Sequence, residues 1–305
     1  MQKHRFSAIA ALAGAFVLSV GAAPSMGEPL KITHAQGVTE VVAATKTVLT
    51  FDLSALDTLT ALGVDVAGVP EANLPKSLSQ FATKPKIGSL FEPDYEAVSA
   101  LEPDLVIVAG RAAPKYAELA AIAPTVDLTT NPKTFMTSAT GNIRKLGEIF
   151  GKQAEAEAAL SQLEASTSAL RAQAQSAGKA MLVLTTGGKM STYGRGSRFG
   201  VLFTDYGFQP VDDQIAAGNH GQPISFEYIL EKNPDWLFVL DRDGAIGEEG
   251  ASASRLLDNE IVRQTVAWQK GQVVYLDAAS WYLVGAGLTS LQSSVDQITA
   301  ALAKK

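Results

Sequence analysis

The sequence predicts an α/β protein of two related halves joined by one long helix. Three observations carry this expectation: a sixteen-residue pattern that occurs twice, strand–helix alternation in both halves, and a Gly- and Pro-free run between the copies. The two copies run from Glu96 to Arg111 and from Glu227 to Arg242. In each, a short helix bearing the Glu should stop at a Pro-Asp turn, Pro103-Asp104 or Pro234-Asp235, because proline lacks an N–H and disfavours helix in the residue before it. A continuously apolar strand follows, of the kind buried on both faces in a parallel sheet. An Arg stands at its carboxyl end. Open α/β sheets bind ligands just outside those ends, so Arg111 and Arg242 should face one crevice from opposite halves. Glu96 and Glu227, a helix away, should lie elsewhere.

Taken in order, the chain begins with Lys3 and Arg5 ahead of an Ala-rich apolar run over 6–20, then Gly21, Ala22 and Ala23. This reads as a secretory signal peptide, residues 1–27, with cleavage somewhere between 23 and 27. The run is short for a membrane span. The chain has no cysteine, which excludes lipid attachment at an N-terminal Cys, disulfides and thiol chemistry. A soluble exported protein, most simply periplasmic, is the expectation. The net charge is −6, and losing Lys3 and Arg5 without any acid makes the balance more negative. That argues against nucleic acid or an anionic membrane as partner, and makes arginines gathered at a cleft a local exception.

After residue 27, about 280 residues remain, enough for one large or two medium domains. Residues 28–151 should form an N-terminal α/β lobe, with strands near 30–33, 48–51 and 105–108 and helices near 53–62 and 114–121. Residues 152–177 should hold the connecting helix. Its polar run 153–175 places Leu160, Leu163 and Leu170 on one face and spans roughly 34 Å at 1.5 Å per residue. Residues 178–305 should form the C-terminal lobe, with strands near 181–185, 236–240 and 273–276 and a last helix over 288–304.

Candidate chemistry is sparse. The three histidines are His4, which leaves with the signal peptide, His34 at a predicted strand end, and His220 in a glycine-flanked loop. A preformed site for a bare transition-metal ion needs three or four side-chain ligands, which these cannot supply. A lone His34 reads as packed or solvent-facing. Glycines beside His220 permit a loop that approaches a ligand closely. Trp281 and Tyr282 follow a strand and precede glycines, a pair that is either core packing or a cleft wall, and a phenolate is a hard donor suited to Fe(III). The segment 193–200 lacks the glycine spacing of a dinucleotide loop and the elbow of a serine hydrolase. It reads as a flexible loop presenting Arg195 and Arg198 beside Tyr193, either solvated or offering guanidinium forks to anionic oxygens.

These residues resemble the periplasmic ferric-siderophore binding proteins of the enterochelin and petrobactin uptake type, components of ABC importers. The similar stretches are 197–200 (Ser-Arg-Phe-Gly), His220-Gly221, 225–235, 239–242, 257–259, and 274–277 through Trp281-Tyr282-Leu283, with 87–88, 92–96, 101–108 and 110–111 in the first half. The resemblance implies two Rossmann-like lobes joined by a single long backbone helix, the helical-backbone periplasmic binding protein fold, around a rather rigid cleft. It implies that Arg111, Arg198 and Arg242 grip catecholate oxygens, with Trp281 and Tyr193 as cleft walls. His220 and Tyr282 match positions that complete the Fe(III) shell when a siderophore brings only two catechols. Glu96 and Glu227 resemble the pair that docks onto the inner-membrane permease dimer. No intrinsic cofactor is implied: the ligand is the Fe(III)–siderophore complex, and the carrier is a monomer. Two other readings stand beside it, a same-fold carrier of haem, cobalamin or ferric hydroxamate, and an exported hydrolase acting on siderophores. The hydrolase would need a nucleophile–base pair built on His34 or His220.

Overall fold

The computed structural model describes residues 29–304, apart from 44, 216, 217, 219 and 249–251. The expected signal peptide, its cleavage site and His4 lie outside the described residues. The first half contains β1 (Leu30–His34), β2 (Gly37–Val41), β3 (Val48–Thr50), α1 (Leu53–Ala61), β4 (Val69–Glu71), β5 (Lys86–Ser89), α2 (Tyr95–Ala100), β6 (Leu105–Val108), α3 (Tyr116–Ala120), β7 (Thr125–Asp127) and α4 (Phe135–Ile149). The helix α5 (Gln153–Ala174) follows. Beyond it come β8 (Lys179–Thr186), β9 (Lys189–Thr192), α6 (Val201–Thr204), β10 (Gln209–Pro210), β11 (Gln222–Ile224), α7 (Phe226–Lys232) and β12 (Trp236–Asp241). The chain closes with α8 (Arg242–Ile246), α9 (Ala253–Leu257), α10 (Val266–Gln269), β13 (Val273–Tyr275), α11 (Ala278–Tyr282) and α12 (Leu288–Leu302).

Each half is an α/β lobe. In the first, β3, β6 and β7 run parallel in that order, and the parallel pair β4–β5 joins β3 through a bridge between Leu49 and Gly68. In the second the order is β11-β9-β8-β12-β13, with β10 beside the start of β8. The central strands β6 and β12 are buried almost throughout, as their unbroken apolar sequence requires.

The sequence repeat is a structural repeat down to single hydrogen bonds. Before each Pro-Asp the chain turns through a left-handed residue, Glu102 (φ 46°) or Asn233 (φ 41°), and among the described residues no other non-glycine has positive φ. The Asp then ties down the strand next door. Asp104 Oδ2 accepts from Lys46 N and Thr47 N at 3.2 and 2.9 Å ahead of β3, and Asp235 Oδ2 accepts from Lys179 N at 2.8 Å at the start of β8. Thus the same tripeptide stops the helix and sets strand register in both lobes.

Two local expectations need correction. The strand at 30–33 belongs to no parallel sheet: β1 and β2 form an antiparallel hairpin on the side of β7. The strand after residue 180 likewise turns straight back as the β8–β9 hairpin through Gly187-Gly188, both with positive φ, a two-residue turn matched to strand twist.

Helix α5 buries Ala156, Leu160, Leu163, Thr167, Leu170 and Ala174 along one stripe, against α4 and α12. One apolar core runs through both lobes and this helix, from Leu56 and Leu105 through Leu163 to Leu182, Trp236 and Val295. The last helix, α12, packs on α1 as well as α5. Its N-cap is Gly287, which has no side chain to offer the free N–H groups, and a Cβ there would collide with the Asp57 carboxylate. Helix α1 supplies the cap instead. Asp57 Oδ2 accepts from Thr289 N and Ser290 N at 2.8 and 3.1 Å, Thr58 Oγ1 accepts from Leu288 N at 3.2 Å, and Ser54 Oγ accepts from Ala286 N at 3.4 Å. No helix among the described residues is long and apolar enough to cross a membrane.

Candidate functional site

A cleft of about 870 Å³ opens between the lobes at the carboxyl ends of the central strands. Arg111 and Thr129 line it from the first lobe, and Thr186, Arg198, His220 and Arg242 line it from the second, with Tyr193, Trp281 and Tyr282. Arg111 arrives by the turn after β6, and Arg242 is the first residue of α8, whose N-cap Asp241 is the last residue of β12. The twin arginines thus meet where the repeat predicts.

Tyr282 is the centre of the site. Its carbonyl, at the C-terminus of α11, accepts from Arg111 Nη2 at 2.9 Å and from Arg198 Nη2 at 2.5 Å. Its hydroxyl accepts from Arg242 Nε at 3.0 Å. The Arg198 guanidinium lies 4.2 Å from the ring centroid, with Arg111 and Arg242 at 5.7 and 5.8 Å. Burial pushes the phenol up, yet the Arg242 hydrogen bond and the Arg198 charge outweigh it and hold Tyr282 below its ordinary pKa. Arg111 is lowered, first by burial and then by the charge of Arg198.

The charges are only partly compensated. Arg242 has Asp243 and Glu248 at 3.6 Å, but among the described residues Arg111 and Arg198 form no salt bridge. Asp52, the N-cap of α1, also lines the cleft, and burial raises its pKa. Three half-buried guanidiniums, two on the Tyr282 carbonyl and one on its hydroxyl, have the chemistry to bind anionic oxygens.

The other expected residues fall as follows. His220 is exposed at the cleft, and Tyr193 is buried edge-on against Phe199. Trp281 is only 6% exposed, packed against Tyr206 under the cleft, its indole N–H without a hydrogen-bond partner among the described residues. It is therefore a floor more than a wall. The segment 193–200 is not a loose loop: Ser197 is buried and donates to the Gly194 carbonyl at 2.6 Å. Arg195 turns away from the cleft to Asp213 and the Phe203 carbonyl, while Arg198 enters it. Glu96 and Glu227 stand exposed in the first turns of α2 and α7, one per lobe and outside the cleft lining.

His34 is packed beside Tyr116, its pKa lowered by burial. Its Nδ1 accepts from Gln36 N, so Nε2 carries the proton and donates to Thr39 Oγ1 at 2.8 Å, while Thr39 donates to the Thr125 carbonyl. That geometry gives Thr39 no base. Among the described residues no group of three or more His, Asp or Glu could hold a metal ion. Sequence reasoning missed Asp52 and Phe91, both of which line the cleft. Asp52 lies two residues beyond the carboxyl end of β3, the kind of position that found Arg111; Phe91 sits in a turn with no periodicity to mark it.

Known proteins share this architecture. Petrobactin-binding protein YclQ of Bacillus subtilis (strain 168) is 38% identical over 271 residues, covering 87% of this chain and 85% of that one. Its crystal structure superposes with a TM-score of 0.88 at 36% identity, over 92% of this chain and all of the other. Ferric-anguibactin-binding protein FatB of Vibrio anguillarum (strain ATCC 68554 / 775) is 32% identical over 308 aligned positions, covering 95% and 96%. The periplasmic catecholate-siderophore binding protein VctP of Vibrio cholerae gives a TM-score of 0.86 at 31% identity, covering 90% of this chain and all of that one. The expected fold, two α/β lobes on one backbone helix, is the fold of these structures. With the sequence profile described as "Periplasmic binding protein" matching residues 43–279, the chain belongs to the periplasmic binding protein family.

Proposed function

We propose that this protein captures a ferric catecholate siderophore in the inter-lobe cleft, in the periplasm, and delivers it as a monomer to the permease dimer of an ABC importer. The observation that carries the reading is the arginine set around Tyr282, in which Arg111 and Arg198 form no salt bridge among the described residues and the carboxyl group facing Arg111 electrostatically is Asp52, whose pKa burial raises. A ferric tris-catecholate carries a charge near −3, and its oxygens supply the missing counter-charge in a half-desolvated cleft. The catecholate siderophore in VctP's name supports the same class, and the petrobactin and ferric anguibactin in the names of YclQ and FatB fit the capture of an iron chelate. The decisive experiment titrates the protein with ferric tris-catecholate, ferric bis-catecholate, ferric hydroxamate and cobalamin, following intrinsic fluorescence and recovering the ligand. Tight quenching by the catecholates, with ligand returned intact, is expected. A response to neutral cobalamin alone overturns the ligand class, and a cleaved ligand reopens the hydrolase.

His220 and Tyr282 are proposed to complete the iron shell of a bis-catecholate, an imidazole nitrogen and a phenolate oxygen added to four catecholate oxygens. The lowered phenol pKa favours this, because iron must displace a proton that Arg242 and Arg198 already disfavour. His220→Ala and Tyr282→Phe are expected to shift the charge-transfer band of the bound ferric bis-catecholate. An unchanged band in both variants rules out direct coordination.

Glu96 and Glu227 are proposed as the permease contacts, matched acids that a pseudo-twofold carrier presents to a symmetric dimer. Reversing both (Glu96→Arg with Glu227→Arg) should leave siderophore affinity unchanged and lower uptake at least ten-fold. Normal uptake by the double variant removes the assignment.

A further inference from the structure

Among the described residues the exposed large hydrophobics are Val38, Val42, Phe91 and Tyr275, and of these Phe91 alone lines the cleft. The residue is 57% exposed, between β5 and α2 of the first lobe. The turn that carries it is firmly built. Ser89 Oγ accepts from Phe91 N and Glu92 N at 3.2 and 3.0 Å, and Ser89 N donates to the Glu92 carbonyl at 2.9 Å. Gly88 (φ +108°) lets the chain fold back onto Pro93, where a Cβ would collide with the Glu92 carbonyl. Glu92 is then held at 2.8 Å by Lys115, on the segment that follows Arg111. A bare phenyl ring is thus held over the cleft by a turn anchored to the same segment as Arg111.

An aromatic residue held with more than half its surface in water has apolar area still to bury, and a ligand seated in the cleft it lines can cover it. The polar groups of the site all address charge, and none distinguishes an aromatic oxyanion from an aliphatic one. A phenyl ring does, since offset or edge-on ring contacts favour aromatic partners beyond the area they bury. We propose that Phe91 is a specificity residue that packs against a catechol ring of the bound siderophore, closing the first-lobe wall of the cleft and selecting aromatic over aliphatic iron chelates. This rests on the catecholate reading above.

The test measures the affinity of ferric tris-catecholate for wild type, Phe91→Ala, Phe91→Leu and Phe91→Tyr, with the melting temperature of each free protein as control. Phe91→Ala is expected to bind about ten-fold more weakly, Phe91→Leu to fall between, and Phe91→Tyr to stay within about two-fold of wild type. Free melting temperatures should be unchanged, because the ring is mostly in water. Wild-type affinity in Phe91→Ala overturns the inference, as does Phe91→Leu matching wild type, which would reduce the role to apolar cover. Unchanged affinity with impaired uptake also overturns it and moves Phe91 to the permease face. Failure of wild type itself to bind the catecholate brings down the ligand reading, a result the wild-type arm separates from failure of Phe91 alone.

Discussion

Arg198→Ala should weaken binding of a ferric tris-catecholate by roughly thirty- to several-thousand-fold, the about 2–5 kcal/mol that removing one partner of a desolvated charge pair costs. Three features place Arg198 above its neighbours. Its guanidinium lies closest to the Tyr282 ring, it shares the Tyr282 carbonyl with Arg111, and it has no acidic partner among the described residues. Arg242→Ala should also be severe, because it strands Asp243 and Glu248 beside an anionic ligand. Arg198→Lys keeps the charge but loses the planar fork, so an intermediate loss is expected. The free variants offer a control: the wild-type cluster holds like charges together, so Arg198→Ala should melt no lower than wild type. Isothermal titration at two ionic strengths reads both the affinity and its screening. Wild-type affinity in Arg198→Ala and Arg242→Ala would mean that the arginines do not hold the ligand.

A second large effect is expected at Asp57, the residue of α1 that caps α12. Burial raises its pKa from 3.8 to about 6, against the lowering pull of the Ser290 and Thr289 hydrogen bonds. The folded state therefore binds a proton more readily than the unfolded chain, so this group's stabilisation is fully present below about pH 4 and is lost as pH rises through about 6. A shift of about two units corresponds to about 3 kcal/mol. Asp57→Asn keeps an acceptor for the α12 N–H groups and removes the titration. Denaturant unfolding of both proteins from pH 4 to 8 should show Asp57→Asn gaining on wild type by up to about 3 kcal/mol as pH rises. Parallel pH profiles would mean that Asp57 titrates normally. Asp57→Ala, which removes the cap outright, should be destabilised by about 0.5–2 kcal/mol relative to Asp57→Asn at every pH.

The repeat was legible in sequence because its chemistry is local. A Pro-Asp after a short helix needs a left-handed residue before it and a strand to tie down after it, and Glu102 with Asp104 and Asn233 with Asp235 do this in both lobes. The backbone helix was legible for the same reason, a run without Gly or Pro carrying one apolar stripe. What escaped was pairing at a distance. Nothing in residues 30–33 says that their partner is an antiparallel strand rather than the sheet. At the site, residue type identified Arg111, Arg198 and Arg242, but not that Tyr282 would organise them through its carbonyl. Arg195 and Arg198 are indistinguishable by composition, and only the packing of Ser197 and Phe199 sends one inward and the other to Asp213.

The apolar core that passes from one lobe through α5 into the other makes the two halves separable in outline only. Leu163 and Val295 are shared walls, and α12, which belongs by sequence to the second half, finds its cap and part of its packing in the first. The shared cluster ties the halves together, although each lobe also keeps an apolar cluster of its own. Unfolding of either half would expose part of this shared core, so a ligand bound between the lobes is expected to raise the stability of both halves together.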